Sequence, residues 1–325
     1  MGPFFIADIF RSSRYIYCIM KQLVFLLLIV TPFHAFSQLP VTAKGKVIRH
    51  ENVGSKFVSA RNIDVWLPEG YSSNKKYAVL YMHDGQMLFD STTTWNKQEW
   101  GVDETMSMLL EKKQIRNCIV VGIWNGGKTR HADYMPQKPF ESLRLSFRDS
   151  IYDAQRSNGQ SVFQGETVRS DKYLKFIVTE LKPFIDQTYA TLSDQKNTFI
   201  AGSSMGGLIS MYAICEYPEV FGGAACLSTH WPGIFYMENN PLPGAFLRYL
   251  EKKLPLLKTN LLYFDTGDAA LDAWYPPIQK QVDALMGKIR FSSERWLTKY
   301  YPGADHSEKA WKERLDIPLQ FLLKN

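Results

Sequence analysis

The stretch FIAGSSMGGL, residues 199–208, has the residue types and the spacing of a nucleophilic serine. It contains G-x-S-x-G with Ser204 at its centre, a pattern in which the serine stands on a strained turn between a strand and a helix. A phosphate-binding loop would need a lysine or G-x-G-x-x-G, and neither is present. A tight turn without chemistry is the other interpretation. The buried run NTFIAG before the motif and the apolar helix pattern MGGLISMYAICEY after it favour the nucleophile.

A serine nucleophile needs a base, and the base needs a carboxylate that holds its tautomer. On a strand-to-helix elbow the partners follow in the order serine, acid, histidine. His306, in YYPGADHSEKAW, follows the last strand-like run and is the predicted base, whereas His230 follows Ser204 too closely. The segment DTGDAALDAWY offers two acids, Asp268 at the end of a strand and Asp272 farther along the loop. The residues alone leave both open.

Composition argues against several other classes of function. The formal net charge of +6 is a mild excess spread along 325 residues, which is not the pattern of a nucleic-acid-binding protein. No HExxH, CxxC or other metal-ligand spacing is present. Cys118, Cys215 and Cys226 each lie in an apolar run and are expected to be buried thiols. We therefore expect no metal, no cofactor and no nucleic-acid partner.

Apolar runs alternate along the chain with segments of helical periodicity, which predicts a mostly parallel α/β sheet with helices on both faces. The continuous runs, typical of strands buried on both faces, are YAVLYMHDG, CIVVGIWNGG, NTFIAG, GAACLSTHW and NLLYFDTGD. An earlier run, RNIDVWLPEG, alternates like a half-exposed strand and predicts an antiparallel pair at the N-terminal edge. One domain over residues 38–325 is the simplest organisation.

Polar clusters follow the buried runs, so they are expected to meet at the carboxyl ends of the strands. Residues 125–169, rich in polar and aromatic side chains, are the predicted cap that faces the substrate. Trp95 and Trp100 could offer a stacking surface for a ring. Five residues at strand ends are predicted to contact substrate, with a purely structural role as the alternative: His83, Trp124, Asn125, His230 and Trp231.

The N-terminal residues 1–37 have the pattern of a secretory signal. From Met20, the predicted initiator, a lysine precedes an apolar run, and small residues lead to a predicted cleavage site after Ser37. The apolar run is short for a membrane span. We therefore expect a secreted or periplasmic protein without stable membrane insertion after cleavage.

Several motifs together resemble the family named "putative esterase" in the α/β-hydrolase superfamily, which includes feruloyl, carbohydrate and siderophore esterases and mycolyltransferases. The similarity extends over about residues 45–325 through VLYMHDGQMLFD, EWGVDE, IAGSSMGGLISMYA, YFDTGDAALDAWYPPIQ and YPGADHSEKAW. The resemblance implies an α/β-hydrolase fold with Ser204 as nucleophile, His306 as base and Asp272 as acid. It also implies an oxyanion hole made by the backbone N–H groups of Gln86 and Met205.

The resulting expectation is a serine esterase that forms an acyl-enzyme without a cofactor. Its expected substrate is a small-molecule or glycan ester, either carbohydrate-linked or with a phenolic acyl group. An acyltransferase with the same triad and a catalytically silent binding module are the alternatives. The sequence does not specify the ester or the oligomeric state.

Overall fold

An eight-stranded mixed sheet forms the centre of the computed structural model, which describes residues 38–156, 158–235 and 237–325. Its order is β1-β2-β4-β3-β5-β6-β7-β8. β1 and β2 pair antiparallel, β2 and β4 also pair antiparallel, and all other neighbours are parallel. The strands are β1 (Lys46–Val53), β2 (Arg61–Leu67), β3 (Ala78–His83), β4 (Cys118–Ile123), β5 (Thr198–Ser203), β6 (Gly223–Leu227), β7 (Leu261–Thr266) and β8 (Trp296–Tyr300).

The central strands are buried on both faces, which explains their continuous apolar runs. In β3, for example, Val79 and Tyr81 join one hydrophobic cluster, while Ala78, Leu80 and Met82 join the cluster on the opposite face. This alternation follows from the two-residue period of a strand. The sheet therefore separates two cores, each of which needs a covering layer of helices.

Helices cover both faces. They are α1 (Val102–Glu111), α2 (Arg130–Tyr134), α3 (Gln137–Glu141), α4 (Leu145–Tyr152), α5 (Ser170–Phe176), α6 (Lys182–Thr188), α7 (Met205–Glu216), α8 (Leu242–Lys253), α9 (Pro276–Lys288), α10 (Glu308–Lys312) and α11 (Asp316–Leu323). A π-helical turn, Ile177–Leu181, joins α5 to α6. α1, α10 and α11 contribute to one core and the other helices to the opposite core. The predicted fold class, including the antiparallel N-terminal edge, is confirmed.

The segment 125–169, named here the excursion, leaves the sheet after β4 and contains α2, α3 and α4. It is tied to the sheet by a buried ion pair in which Arg61 Nη2 lies 3.1 Å from Asp133 Oδ2. His131 Nε2 lies 2.7 Å from the carbonyl oxygen of Gly233, a second anchor. Because Tyr134 and Phe140 are also buried in the core, the excursion is a packed part of the domain.

The N-terminal signal expected in residues 1–37 lies outside the described residues. From Leu39 to Asn325 the chain forms one compact unit. In this described part, no helix has the length and apolar character needed to cross a bilayer.

Candidate active site

Ser204 lies on a sharp turn between β5 and α7. Its φ of 56° and ψ of −124° put a non-glycine residue in a strained conformation. The turn needs glycine on both sides, because a Cβ on Gly202 would lie 2.7 Å from the carbonyl carbon of Gly206. Backbone hydrogen bonds hold the strained residue: its N–H donates to the Leu227 oxygen at 3.0 Å, and its own carbonyl accepts from the His230 N–H at 3.1 Å. This geometry fits a nucleophile elbow.

His306 and Asp272 form a close pair near this turn. His306 Nδ1 lies 2.6 Å from Asp272 Oδ1. Asp272 is fully buried, and its other oxygen accepts from the Gly267 N–H at 2.8 Å. Ser307 caps α10 by accepting from the Ala310 N–H, which fixes the chain just after the histidine. An acceptor at Nδ1 holds the imidazole in the tautomer whose Nε2 can take a proton.

Asp268, the other candidate acid, has different partners. Its carboxylate accepts from the Tyr300 hydroxyl and, at 2.7 Å, from the Gly303 N–H. The Tyr300 hydrogen bond lowers the pKa of this exposed carboxyl. The geometry therefore pairs His306 with Asp272 and leaves Asp268 to stabilise the turn after β8.

A buried network supports Asp272 from behind. Ser228 Oγ donates to Asp272 Oδ2 at 2.6 Å and accepts from Trp311 Nε1 at 3.0 Å and from Arg314 Nη2 at 2.8 Å. Arg314 also forms a buried ion pair with Asp265, with Nη2 3.0 Å from Oδ1. Both oxygens of Asp272 are thus held by hydrogen bonds, which fixes the carboxylate that faces His306.

The two predicted oxyanion donors come from neighbouring strand ends. Met205 is the first residue of α7, where backbone N–H groups have no acceptor within the helix. Gln86 lies in a 3₁₀ turn, Gly85–Met87, directly after β3. Gly85 presses this turn against β4, since a Cβ there would lie 2.4 Å from the carbonyl carbon of Gly122. Because β3 and β5 are adjacent, both donors belong to one edge of the sheet.

Ser204, His306 and Gln86 line one cavity of about 690 Å³, named here the Ser204 cavity. By chain segment, most of the other lining residues fall into two groups, named here as walls. The loop wall consists of Trp95, Asn96, Gln98, Trp100, Ser307, Glu308 and Trp311. The excursion wall consists of Asn125, Gly127, Arg130, His131, Arg156 and Gln164. A smaller cavity of about 340 Å³ lies near the amino ends of β3 and β4, away from Ser204.

Of the five residues predicted to contact substrate, Asn125 lines the Ser204 cavity. Its Nδ2 donates to Asp84 Oδ1 at 2.7 Å. Trp124 lies elsewhere: its indole N–H donates to Asp64 at 2.8 Å, and the Arg49 guanidinium lies 4.6 Å from its ring centroid. Trp124 thus packs against β1 and β2.

The other three predicted residues are buried beneath the cavity lining. His83 Nδ1 lies 2.8 Å from the Tyr173 hydroxyl, and His230 Nδ1 lies 2.6 Å from the Tyr275 hydroxyl. Trp231 donates its indole N–H to Gln279 at 2.9 Å. Burial lowers the pKa of His83 to about 3 and the pKa of His230 well below its usual value, so both stay neutral near pH 7.

The described residues contain no group of three His, Cys, Asp or Glu side chains placed to hold a metal ion. Cys118, Cys215 and Cys226 are buried free thiols. Burial raises the pKa of all three, so the neutral thiol is favoured.

The model of the family described as "Putative esterase" matches residues 55–321. The chain belongs to this esterase family. The match includes the strained serine, the His306–Asp272 pair and both predicted oxyanion donors.

Individual relatives of this chain are distant. The uncharacterized protein YbbA of Bacillus subtilis is 25% identical over 197 residues, which cover 60% of this chain and 63% of YbbA. An IroE-like serine hydrolase from Shewanella oneidensis is structurally similar, with a TM-score of 0.61 at 21% identity, over 85% of this chain and 79% of that one. A ferulic acid esterase aligns with a TM-score of 0.59 at 18% identity, over 86% and 98% of the two chains. At these identities the solved structures establish the shared fold.

Two features of the Ser204 cavity carried no signal in the sequence. Arg130 forms two hydrogen bonds with Asp84, each 2.7 Å long, across 46 residues of chain. Although burial opposes ionisation of Asp84, Arg130 and Asn125 lower the pKa of its carboxyl. Arg156, from the loop after α4, also reaches the cavity. Both arginines lie in a segment without strong periodicity, so only the folded chain shows what they face.

Proposed function

We propose that this chain is a serine esterase that hydrolyses a carboxylic ester through an acyl-enzyme. Ser204 is the nucleophile, His306 the general base and Asp272 the acid that orients His306. The observation that carries the proposal is the 2.6 Å contact between His306 Nδ1 and Asp272, beside a serine strained on an elbow in the same cavity. Strained backbone conformations of this kind cluster at active sites.

In the proposed reaction, Ser204 Oγ attacks the ester carbonyl while His306 Nε2 takes its proton. The carbonyl oxygen gains negative charge and is stabilised by the N–H groups of Met205 and Gln86, each worth about 3 kcal/mol in the transition state. His306 then protonates the leaving alcohol. Water, activated by the same histidine, releases the acid from Ser204. Asp272 stays ionised throughout and stabilises the imidazolium.

A carbohydrate-linked ester or an ester of a phenolic acid is the proposed substrate class. Trp95 supports it, because its side chain is 83% exposed at the cavity and could stack on a ring. The similarity to a ferulic acid esterase is consistent with this choice. The signal-like residues 1–37 support a secreted or periplasmic location.

The test compares Ser204→Ala with the adjacent Ser203→Ala in the hydrolysis of 4-nitrophenyl acetate. We expect Ser204→Ala to abolish hydrolysis with an unchanged circular dichroism spectrum, and Ser203→Ala to retain substantial activity. Equal losses in both variants would contradict the assignment of the nucleophile.

Product analysis with a sugar acceptor separates hydrolysis from acyl transfer, and an inactive wild-type protein would point to a binding module.

A further inference from the structure

The two walls of the Ser204 cavity correspond to the two halves of an ester. His306 must protonate the leaving oxygen, so the alcohol part lies on the side of His306. That side is the loop wall, since Ser307, Glu308 and Trp311 follow His306 directly. The carbonyl oxygen points to the Met205 and Gln86 amides. The remaining direction, toward the excursion wall, is left for the acyl group.

The excursion wall contains two arginines, Arg130 and Arg156, and an acid compensates the charge of Arg130. The Arg130 guanidinium is paired with the Asp84 carboxylate through Nε and Nη2. Although burial opposes its charge, this carboxylate raises the pKa of Arg130. The pair therefore has little net charge to offer a ligand.

Arg156 has no such partner. Within residues 38–156, 158–235 and 237–325, no carboxylate forms an ion pair with its guanidinium, and its buried Nε lacks a hydrogen-bond acceptor. Glu166 of the excursion pairs with Lys128 and Arg169 instead. The guanidinium lies 5.7 Å from the Phe235 ring centroid, a contact that does not compensate its charge.

The surroundings of Arg156 favour an anion. His131 lies on the same wall, and burial, with both arginines, lowers its pKa to about 3, so near pH 7 it is neutral and neither attracts nor repels an anion by charge. Gln164 adds a neutral amide. A partly buried guanidinium without an acceptor costs free energy that a bound carboxylate would recover.

We propose that Arg156 binds a carboxylate on the acyl group of the substrate, so that this esterase prefers esters whose acyl part carries a negative charge. The proposal rests on the proposed function for the assignment of the two walls. It narrows the substrate class from any carbohydrate-linked or phenolic ester to one with an anionic acyl group, such as a half-ester of a dicarboxylic acid. Arg156 is then a specificity-determining residue.

The kinetic experiment compares two esters with the same leaving group, the half-ester 4-nitrophenyl adipate and the neutral 4-nitrophenyl hexanoate. We expect the wild-type protein to prefer the adipate. Arg156→Gln should lower kcat/KM for the adipate by about tenfold to a hundredfold, the range for a charged hydrogen bond, and leave the hexanoate within about twofold. Arg156→Lys should recover part of the loss. Arg144→Gln, at an exposed position of the same excursion, is the matched control.

Two results would overturn the proposal. Equal losses for both esters in Arg156→Gln would show that Arg156 only supports the fold of the excursion. A loss confined to 4-acetoxybenzoate, whose carboxylate is on the leaving group, would assign Arg156 to the alcohol part.

A binding measurement separates this proposal from the proposed function. Calorimetric titration of adipate into Ser204→Ala and into Ser204→Ala with Arg156→Gln requires no catalysis. Weaker binding to the double variant by tenfold or more supports the anion site even if the wild-type protein hydrolyses neither ester. Equal affinities would refute the site. Adipate binding by a wild-type protein that hydrolyses neither ester would refute the proposed function alone.

Discussion

Arg314, behind the His306–Asp272 pair, and Arg156, on the excursion wall, differ in whether an acid pairs with them. Arg314 pairs with Asp265, and each carboxylate oxygen of Asp272 has a hydrogen-bond partner, although Arg314 Nη1 is buried without one. Within the described residues no acid pairs with Arg156, and its buried Nε lacks an acceptor. Paired groups hold one geometry, while an unpaired charge is available to a ligand. On the proposed function, the first region serves the reaction and the second serves the choice of substrate.

The largest expected effect lies in the paired region. Asp272→Asn should lower kcat by about 10⁴, because the amide cannot stabilise the imidazolium or hold the correct tautomer of His306. Steady-state kinetics with 4-nitrophenyl acetate would measure it. Asp268→Asn is the matched control, since its carboxylate contacts Tyr300 and Gly303 instead, and we expect at most a tenfold loss. The reverse pattern in folded proteins would transfer the acid to Asp268.

A smaller effect is expected at Ser228. Ser228→Ala removes the hydroxyl that donates to Asp272 and leaves the buried donors of Trp311 and Arg314 with one acceptor fewer. The free energy of unfolding should fall by about 1–3 kcal/mol, and urea denaturation would measure it. Ser150→Ala, at an exposed position in the excursion, should change it by less than about 0.5 kcal/mol. Equal changes would contradict the contrast between the two regions.

A further effect is expected on the pH dependence of stability, and here the two regions should behave alike. Burial lowers the pKa of His83, near the strand ends, and of His131, in the excursion, to about 3. Between about pH 3 and pH 6.5 the unfolded chain binds a proton at each position and the folded chain does not. Stability is therefore full above about pH 6.5 and falls on acidification, by up to about 1.4 kcal/mol per pH unit for each histidine.

Replacing His131 by Gln should reduce the fall in the free energy of unfolding by up to about 1.4 kcal/mol per pH unit, the contribution of one bound proton. Urea denaturation at pH 4.5, 5.5 and 6.5 would measure this change. The exposed loop residue Gln160 provides a control, since Gln160→Ala should leave the slope unchanged. An unchanged slope in His131→Gln would mean that His131 is not buried in its neutral form. The excursion would then be less well packed than Tyr134 and Phe140 indicate.

Much of the fold was predictable because burial on both faces leaves a direct trace in the sequence. The continuous runs of β3, β4, β5, β6 and β7 and the alternating pattern of β2 predicted a mostly parallel sheet with an antiparallel edge, and the structure confirms both. The expected half-exposure of β2 is wrong, because all its residues except Asn62 are buried. The excursion was less predictable. Its helices α2, α3 and α4 are short, so no face repeats often enough to produce a clear period.

The sequence by itself determined the residues whose chemistry depends on local spacing. Ser204 stands out because a strained elbow needs glycine two residues away on either side, and this requirement is local. His306 stands out because a capping serine follows it at the start of α10. Strand-end residues were a different case, since the side chains of His83, His230 and Trp231 point into packed regions that no local pattern describes.

Only the tertiary structure decided which side chains meet. Asp268 and Asp272 are four positions apart and of the same residue type, and the turn after β7 directs only the second toward His306. Arg130 and Arg156 both belong to the excursion. They differ because Asp84, which follows β3, forms an ion pair with Arg130. Hydrogen bonds and ion pairs act over about 3 Å in space between groups far apart in the chain, so their partners are set by the folded chain.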